Sequence, residues 1–396
     1  MEEIRGGNQT PKKKKRNPFL RVLAFLVTVA VVLGAIFVVF NWDDFNLDAI
    51  KRYFSYRNLE RGDNGQAESF PLDGGSSNLF ASVDDDLLVC FDKGVRLYSG
   101  SGTLYVDQTI LLEHPVTDAA GGTALVYDVG GQELRVYADR AEVFSLTLEE
   151  GRSLLSARVN QHGWLAVTAQ ESGYKGAVTV YDDSYAPVMR VSLSSRFIMD
   201  AVLSPNNSAL AVLTIGMGDR EFDSRIDIYE LDGEGANAEP DLSCSIGNNA
   251  VLDLCWNSDG IWALGESAVS LVKADGTLGG TYDYSGRYLK AFSLDGDGTA
   301  ALLLGKYRAG SSAELAVVGA DGQVRASLPL EEQVLSLSAA GRYIAVLTAD
   351  RLDIYDQDLT VYSSLTGTQG ARQVLQRSDG SAMLIDGETA RLYLPQ

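Results

Sequence analysis

The chain has 396 residues, of which 45% are apolar, with three cysteines and a formal net charge of −20. This apolar content excludes a disordered chain, and three cysteines cannot form a disulfide scaffold. The acidity argues against a nucleic-acid partner, since phosphate would be repelled.

The charge is uneven along the chain. Residues 1–21 hold Arg5, Lys12, Lys13, Lys14, Lys15, Arg16 and Arg21 against Glu2 and Glu3, a sum of +5, so the remaining 375 residues sum to −25. Val22 to Phe40 then runs for 19 residues without a charge. At about 1.5 Å per helical residue, such a run nearly spans a hydrocarbon core of about 30 Å. Basic residues before it and Asp43–Asp44 after it place the N-terminus in the cytoplasm and the rest outside. Arg21 and Trp42 stand where the two interfacial anchors of a membrane helix belong. The run is too long for the core of a cleaved signal peptide, and no small-x-small cleavage site follows it. The expected organisation is a basic tail over 1–21, a transmembrane signal anchor over 22–41, a juxtamembrane stalk over 42–65 and an ectodomain over 66–396.

In the stalk, Leu47, Ile50, Tyr53 and Phe54 recur at helical spacing. That pattern suits a short helix lying on the membrane surface or a simple stalk helix. Residues 61–77 are rich in turn formers and read mostly as linker.

The ectodomain repeats. Val95-Arg-Leu-Tyr98, Leu134-Arg-Val-Tyr137, Val178-Thr-Val-Tyr181 and Ile226-Asp-Ile-Tyr229 are followed by Val269 to Val272, Leu315 to Val318, Leu352 to Tyr355 and Ala390 to Tyr393. The last residues of these runs are 39, 44, 48, 43, 46, 37 and 38 positions apart. Each run is preceded by a continuous apolar run, as in Leu210-Ala-Val-Leu213, and by a polar turn, as in Ser204-Pro-Asn-Asn207. A further strand lies on each side. Four strands with tight turns at this period make a β-propeller blade. The count is eight, or seven if the weak copy near 250–285 is misread. The last copy stops after its third strand, and Glu68-Ser-Phe-Pro-Leu72 resembles the fourth strand Arg325 to Leu330. The N-terminal side is therefore expected to close the ring.

The predicted fold is all-β, a propeller preceded by one membrane helix. Over about residues 66–396 the repeats resemble propellers of the broad WD40-like and quinoprotein-like kind. Within the repeats, the Gly-His and Trp-Asp pairs of WD repeats and the late Trp of quinoprotein blades are absent. The whole chain is similar to membrane-anchored propeller proteins of Gram-positive bacteria, a likeness that implies no activity.

Few residues suggest chemistry. His114 and His162 are the only histidines, which excludes a His-rich metal site, and no G-x-S-x-G nucleophile motif occurs. His162 reads as a turn residue and Cys90 as a small buried hydrophobe. A disulfide between Cys244 and Cys255 is chemically permitted outside the membrane, but their strands lie at opposite sides of a blade, a separation that disfavours it, and the pairing stays open. Asp295-Gly-Asp-Gly298 resembles the start of a calcium loop, but position 12 is Lys306, so an ordinary hairpin turn is the better reading. Aligned innermost strands put Asp118, Ser156, Asp200, Asp253, Lys290, Ser336 and Gln373 at one polar position, a candidate ring for a cation, a water chain or a small polar ligand at the channel mouth. The same polarity is expected of any wetted channel. No catalytic residue, metal site or cofactor is assigned.

The expected function is a membrane-tethered, non-catalytic scaffold for a protein or cell-envelope partner, with oligomeric state open. The alternative is a propeller enzyme, or a carbohydrate- or small-ligand-binding protein, with its site at the channel mouth.

Overall fold

A computed structural model describes residues 25, 27–29, 47–57, 59–72, 78–218, 221–231 and 239–395. Arg21, Trp42 and most of the apolar run 22–40 lie outside them, and no helix among the described residues is long and apolar enough to cross a membrane.

Eight four-stranded antiparallel sheets follow one another in chain order. Their first strands, taken as blades 1 to 8, are Leu79–Val83, Pro115–Ala120, Ser153–Val159, Phe197–Leu203, Val251–Asn257, Tyr288–Gly296, Ser336–Ala340 and Gln373–Gln376. First strands of consecutive blades touch, as those of blades 3 and 4 or 6 and 7 do, so they form the inner wall of a ring. The weak copy is therefore a genuine blade, and the count is eight.

Burial follows position within a blade. Second strands are covered on both faces, as Gly260–Gly265 and Thr299–Gly305 are along their whole length. Outer strands alternate, as Ala141–Thr147 does, with one side to the neighbouring blade and one to water. The core is divided into wedges between blades. Leu125, Tyr127 and Leu134 of blade 2, for example, pack on Leu154, Leu165 and Val167 of blade 3.

The closure expected for Glu68–Leu72 is present. Phe70–Pro71 is the outer strand of blade 8, with Phe70 opposite Ala390 and Pro71 opposite Thr389. Ala67 N donates to Leu392 O at 2.9 Å and Leu72 N to Glu388 O at 2.7 Å. Phe70 is buried among Leu87 and Val89 of blade 1 and Met383 and Leu392 of blade 8, so one side chain joins the two ends of the ring. Its ring also lies against Gly102, which has φ +87° and no room for a Cβ.

Much of the acidity serves the turns. Asp182 Oδ1 accepts from the N–H groups of Ser184 and Ala186, and Asp356 Oδ1 from those of Asp358 and Thr360. A carboxylate in this place satisfies donors that the turn leaves unpaired.

One helix, α1 (Leu47–Tyr56), packs against the ring. The three cysteines are free, which agrees with the expectation for Cys244 and Cys255.

Candidate functional site

An inner strand is an edge strand, with N–H groups that face the channel unpaired. Polar side chains on one inner strand satisfy those of the next. Ser293 Oγ accepts from Ala339 N at 3.0 Å, Ser336 Oγ from Val374 N at 3.2 Å, and Ser338 Oγ from Gln376 N at 3.0 Å. Asp118 Oδ2 does the same for Val159 N at 2.8 Å. The polar residues of the channel wall thus link neighbouring blades.

Four of the seven predicted ring residues come together, around a residue that the sequence reading missed. Arg158 donates through Nη2 to Asp200 Oδ2 and to Asp253 Oδ1, both at 2.7 Å, and through Nη1 to Asp118 Oδ1 at 3.5 Å. Its Nε also reaches Asp200 Oδ2 at 3.0 Å, and Ser156 Oγ donates to Asp200 Oδ1. Burial alone would depress the guanidinium, but Asp200, Asp118 and Asp253 outweigh it and hold Arg158 charged. Burial lifts the Asp118 carboxyl above its ordinary range, against the pull of Arg158 and of the Val159 N–H. Arg158 thus sets a positive charge among these three carboxylates. Among the described residues no group of His, Cys, Asp and Glu could hold a metal ion.

A fourth carboxylate, Asp295, lines the same cavity. It stands one residue before the end of the inner strand of blade 6, with its side chain exposed to the channel and the ring's protein around it. Burial, then the negative charge of Asp253, pushes it up to about 6, while the bond from Ser293 Oγ opposes the shift. The hairpin turn expected at Asp295 to Gly298 is present, with Asp297 and Gly298 between the paired Gly296 and Thr299, and Asp295 stands in the strand just before it. The channel cavity holds about 590 Å³, between walls that include Asp118, Arg158, Asp253, Asp295 and Gln376.

Lys290, Ser336 and Gln373 are not in this cluster. In blade 6 a bulge falls between Leu289 and Ala291, matching bulges at Ile198/Asp200 and Val251/Asp253. Ala291 therefore occupies the place of Asp200 and Asp253, and Lys290 is the bulged residue, turned into a groove on one face of the ring. Ser336 and Gln373 sit at the beginnings of their strands, whereas Ser338 and Gln376, two and three residues on, line the channel. A shared apolar pattern cannot reveal a bulge. Arg158 was findable as a lone cation in an inner strand, in Ser156-Ala-Arg158.

The two faces of the ring differ. One carries the turns that join first to second and third to fourth strands, and α1 lies across it. Asp48 Oδ2 accepts from Tyr343 Oη and pairs with Arg342 Nη2, both at 3.1 Å. Arg52, 6% exposed, donates to Asp379 O at 2.6 Å and to Tyr362 Oη at 3.1 Å. Tyr56 Oη donates to Asp85 Oδ1 at 2.8 Å and accepts from Arg377 Nη1 at 2.9 Å. Spaced four apart, these three residues form one side of the helix and clamp blades 7, 8 and 1.

The other face gathers exposed apolar side chains over blades 3 to 6, among them Phe197 at 54%, Phe222 at 62%, Leu252 at 57% and Tyr307 at 65%. Elsewhere, exposed apolar residues such as Leu278 and Val324 stand singly at the starts of outer strands.

The model of a family of unknown function, DUF5711, matches residues 63–389. The chain belongs to this family. No curated protein matches the sequence. Among solved structures, this DUF5711 chain is similar to the C-terminal WD40 domain of Sif2, at 12% identity and a TM-score of 0.58, covering 84% of this chain and 99% of that one. It also matches a eukaryotic initiation factor at 11% identity and TM-score 0.49, covering 83% of each chain. A third match is the β-propeller domain of Cps50 (Swd1) from Myceliophteria thermophila, at 11% identity and TM-score 0.43, covering 82% of this chain and 99% of that one. At such identities the Sif2 likeness carries the WD40-like propeller fold and nothing further.

Proposed function

We propose that this DUF5711 propeller is a membrane-tethered, extracytoplasmic scaffold that binds a protein partner on the face opposite α1. The α1 clamp carries the reading, because it covers part of one face, over blades 7, 8 and 1, and fixes the ring relative to the chain before it. Leu47 starts α1 only six residues after Asn41, at most about 20 Å of extended chain. If residues 22–41 span the membrane, the clamped face is held close to the bilayer and the apolar face is turned away. The charge split at residue 21 supports a cytoplasmic N-terminus. A broad face with exposed aromatics suits a protein partner, since such side chains dominate binding energy. In the channel, Asp118, Asp200 and Asp253 are engaged by Arg158 and Asp118 also by a backbone N–H group, which favours a structural over a catalytic role for these three.

Site-specific photocrosslinking in native membranes tests the proposal. A crosslinker at Tyr307, on the far face, is expected to capture one envelope protein reproducibly. The same group at Asp297, on the clamped face, is expected not to. Equal capture at both positions, or recovery of the chain in the soluble fraction, would falsify it.

A further inference from the structure

We propose that the groove between blades 5 and 6, on the face opposite α1, binds an acidic peptide segment flanked by apolar side chains. This rests on the scaffold reading above and names the chemistry of its partner. The groove holds about 750 Å³, within the range of ligand pockets. Leu252 and Tyr288, both exposed, and the half-buried Leu289 give it apolar walls.

Its cations are Lys290, Arg287 and Arg308. Arg287 is engaged, donating to Glu314 Oε2 at 2.8 Å and to Tyr284 O at 2.9 Å. Lys290 donates one bond to Gly310 O, and an ammonium has three donors. Arg308 rides on the loop between Gly305 and Ala313, beside the exposed Tyr307, whose ring centroid lies 5.5 Å from Lys306 Nζ. The bulge that removes Lys290 from the channel is what brings it here.

The opposite wall carries Glu266 and Asp283. The groove therefore has a positive side toward blade 6 and a negative side toward blade 5. A peptide carboxylate fits the first, and backbone N–H groups fit the second. The rest of the chain after residue 21 is acidic by 25 charges, so an acidic segment is repelled broadly and attracted here. A free anion would use Lys290 and Arg308 but leave Leu252 and Tyr288 unmatched.

The test uses the full-length chain in lipid nanodiscs and fluorescence anisotropy. The probe is a labelled eight-residue peptide alternating Glu with Leu and Phe. The same peptide with Lys for Glu is the control, and inorganic phosphate is the competitor. The acidic peptide is expected to bind, the Lys peptide not to, and phosphate to compete only weakly. The double variant K290E/R308E is expected to weaken binding about tenfold or more, the scale of two lost charge contacts. Leu252→Ala with Tyr288→Ala is expected to weaken it comparably. These side chains are exposed or half-buried, so the melting temperature should hold for every variant, which separates loss of the groove from loss of the fold. Equal binding of the Lys peptide, charge-reversed affinity within about twofold, or no binding at about 1 mM peptide would overturn the proposal. If K290E/R308E keeps the partner captured from Tyr307, the scaffold reading stands and the groove assignment falls.

Discussion

The inner and outer edges of the blades both present unpaired backbone, and both carry arginine–aspartate pairs, with different consequences. At the inner edge Arg158 and Asp200 have side chains 25% and 12% exposed, inside the channel. At the outer edge Arg325 and Asp358 pair at 2.7 Å with 45% and 63% exposed, in open water. Where water is plentiful, an ion pair replaces bonds that solvent would supply equally well. In the channel the alternative to the pair is a carboxylate cluster with its charge uncompensated.

The largest test of this contrast is Arg158→Met. It leaves Asp118, Asp200 and Asp253 facing one another, and a loss of about 3–5 kcal/mol is expected in urea unfolding at neutral pH. A loss below about 1 kcal/mol would show that channel water screens the cluster as well as bulk water does. Next comes the one outer strand that is indispensable. Phe70→Ala, 6% exposed in the wild type, should cost about 3 kcal/mol and expose the rim of blade 8 to hydrogen exchange before the other blades.

A smaller effect concerns Asp295. Its folded value of about 6 lies above the ordinary 3.8, so the folded state binds the extra proton between these values. Stability should therefore fall as pH rises from about 4 to about 6, the reverse of a salt-bridged aspartate. Asp295→Asn should flatten that slope and raise the melting temperature above pH 6 by a few degrees, for a gain of about 1 kcal/mol after discounting for channel water. A slope unchanged by the substitution would assign it to another group. Smallest of all, Arg325→Ala should leave the melting curve where it was.

The architecture was legible because it repeats. Apolar runs before the third strands mark covered strands, and turns such as Ala274-Asp-Gly276 and Ala320-Asp-Gly322 separate strands, so eight noisy copies confirm one pattern. The closing strand was legible for the same reason, since Glu68 to Leu72 matches Arg325 to Leu330. The channel was only half legible. Alignment found Asp118, Asp200 and Asp253, but it set Lys290 one residue out of register with them: the same bulge recurs in blades 4, 5 and 6, where Lys290 matches Met199 and Leu252 and Ala291 matches the two aspartates. Arg158 belongs to a single blade, so comparing copies could not reveal it. The clamping face of α1 was missed because its three residues are unremarkable until the turns of blades 7, 8 and 1 meet them.

The closing strand also constrains how the chain comes to be folded. The residues that seal the ring and those that receive them stand at opposite ends of the ectodomain, and Arg52 meets Asp379 across 327 positions. During synthesis the early segment must wait, unpaired, until seven blades and most of an eighth have emerged. Closing so long a loop adds an entropic cost that grows only with the logarithm of its length, but it comes last and late. Until then the flank of blade 1 that receives Phe70, around Leu87 and Val89, lies open to other chains. A ring with this seam therefore has one vulnerable interval per molecule, before blade 8 has emerged and paired, and its yield should depend on what shields that flank until the seam is made.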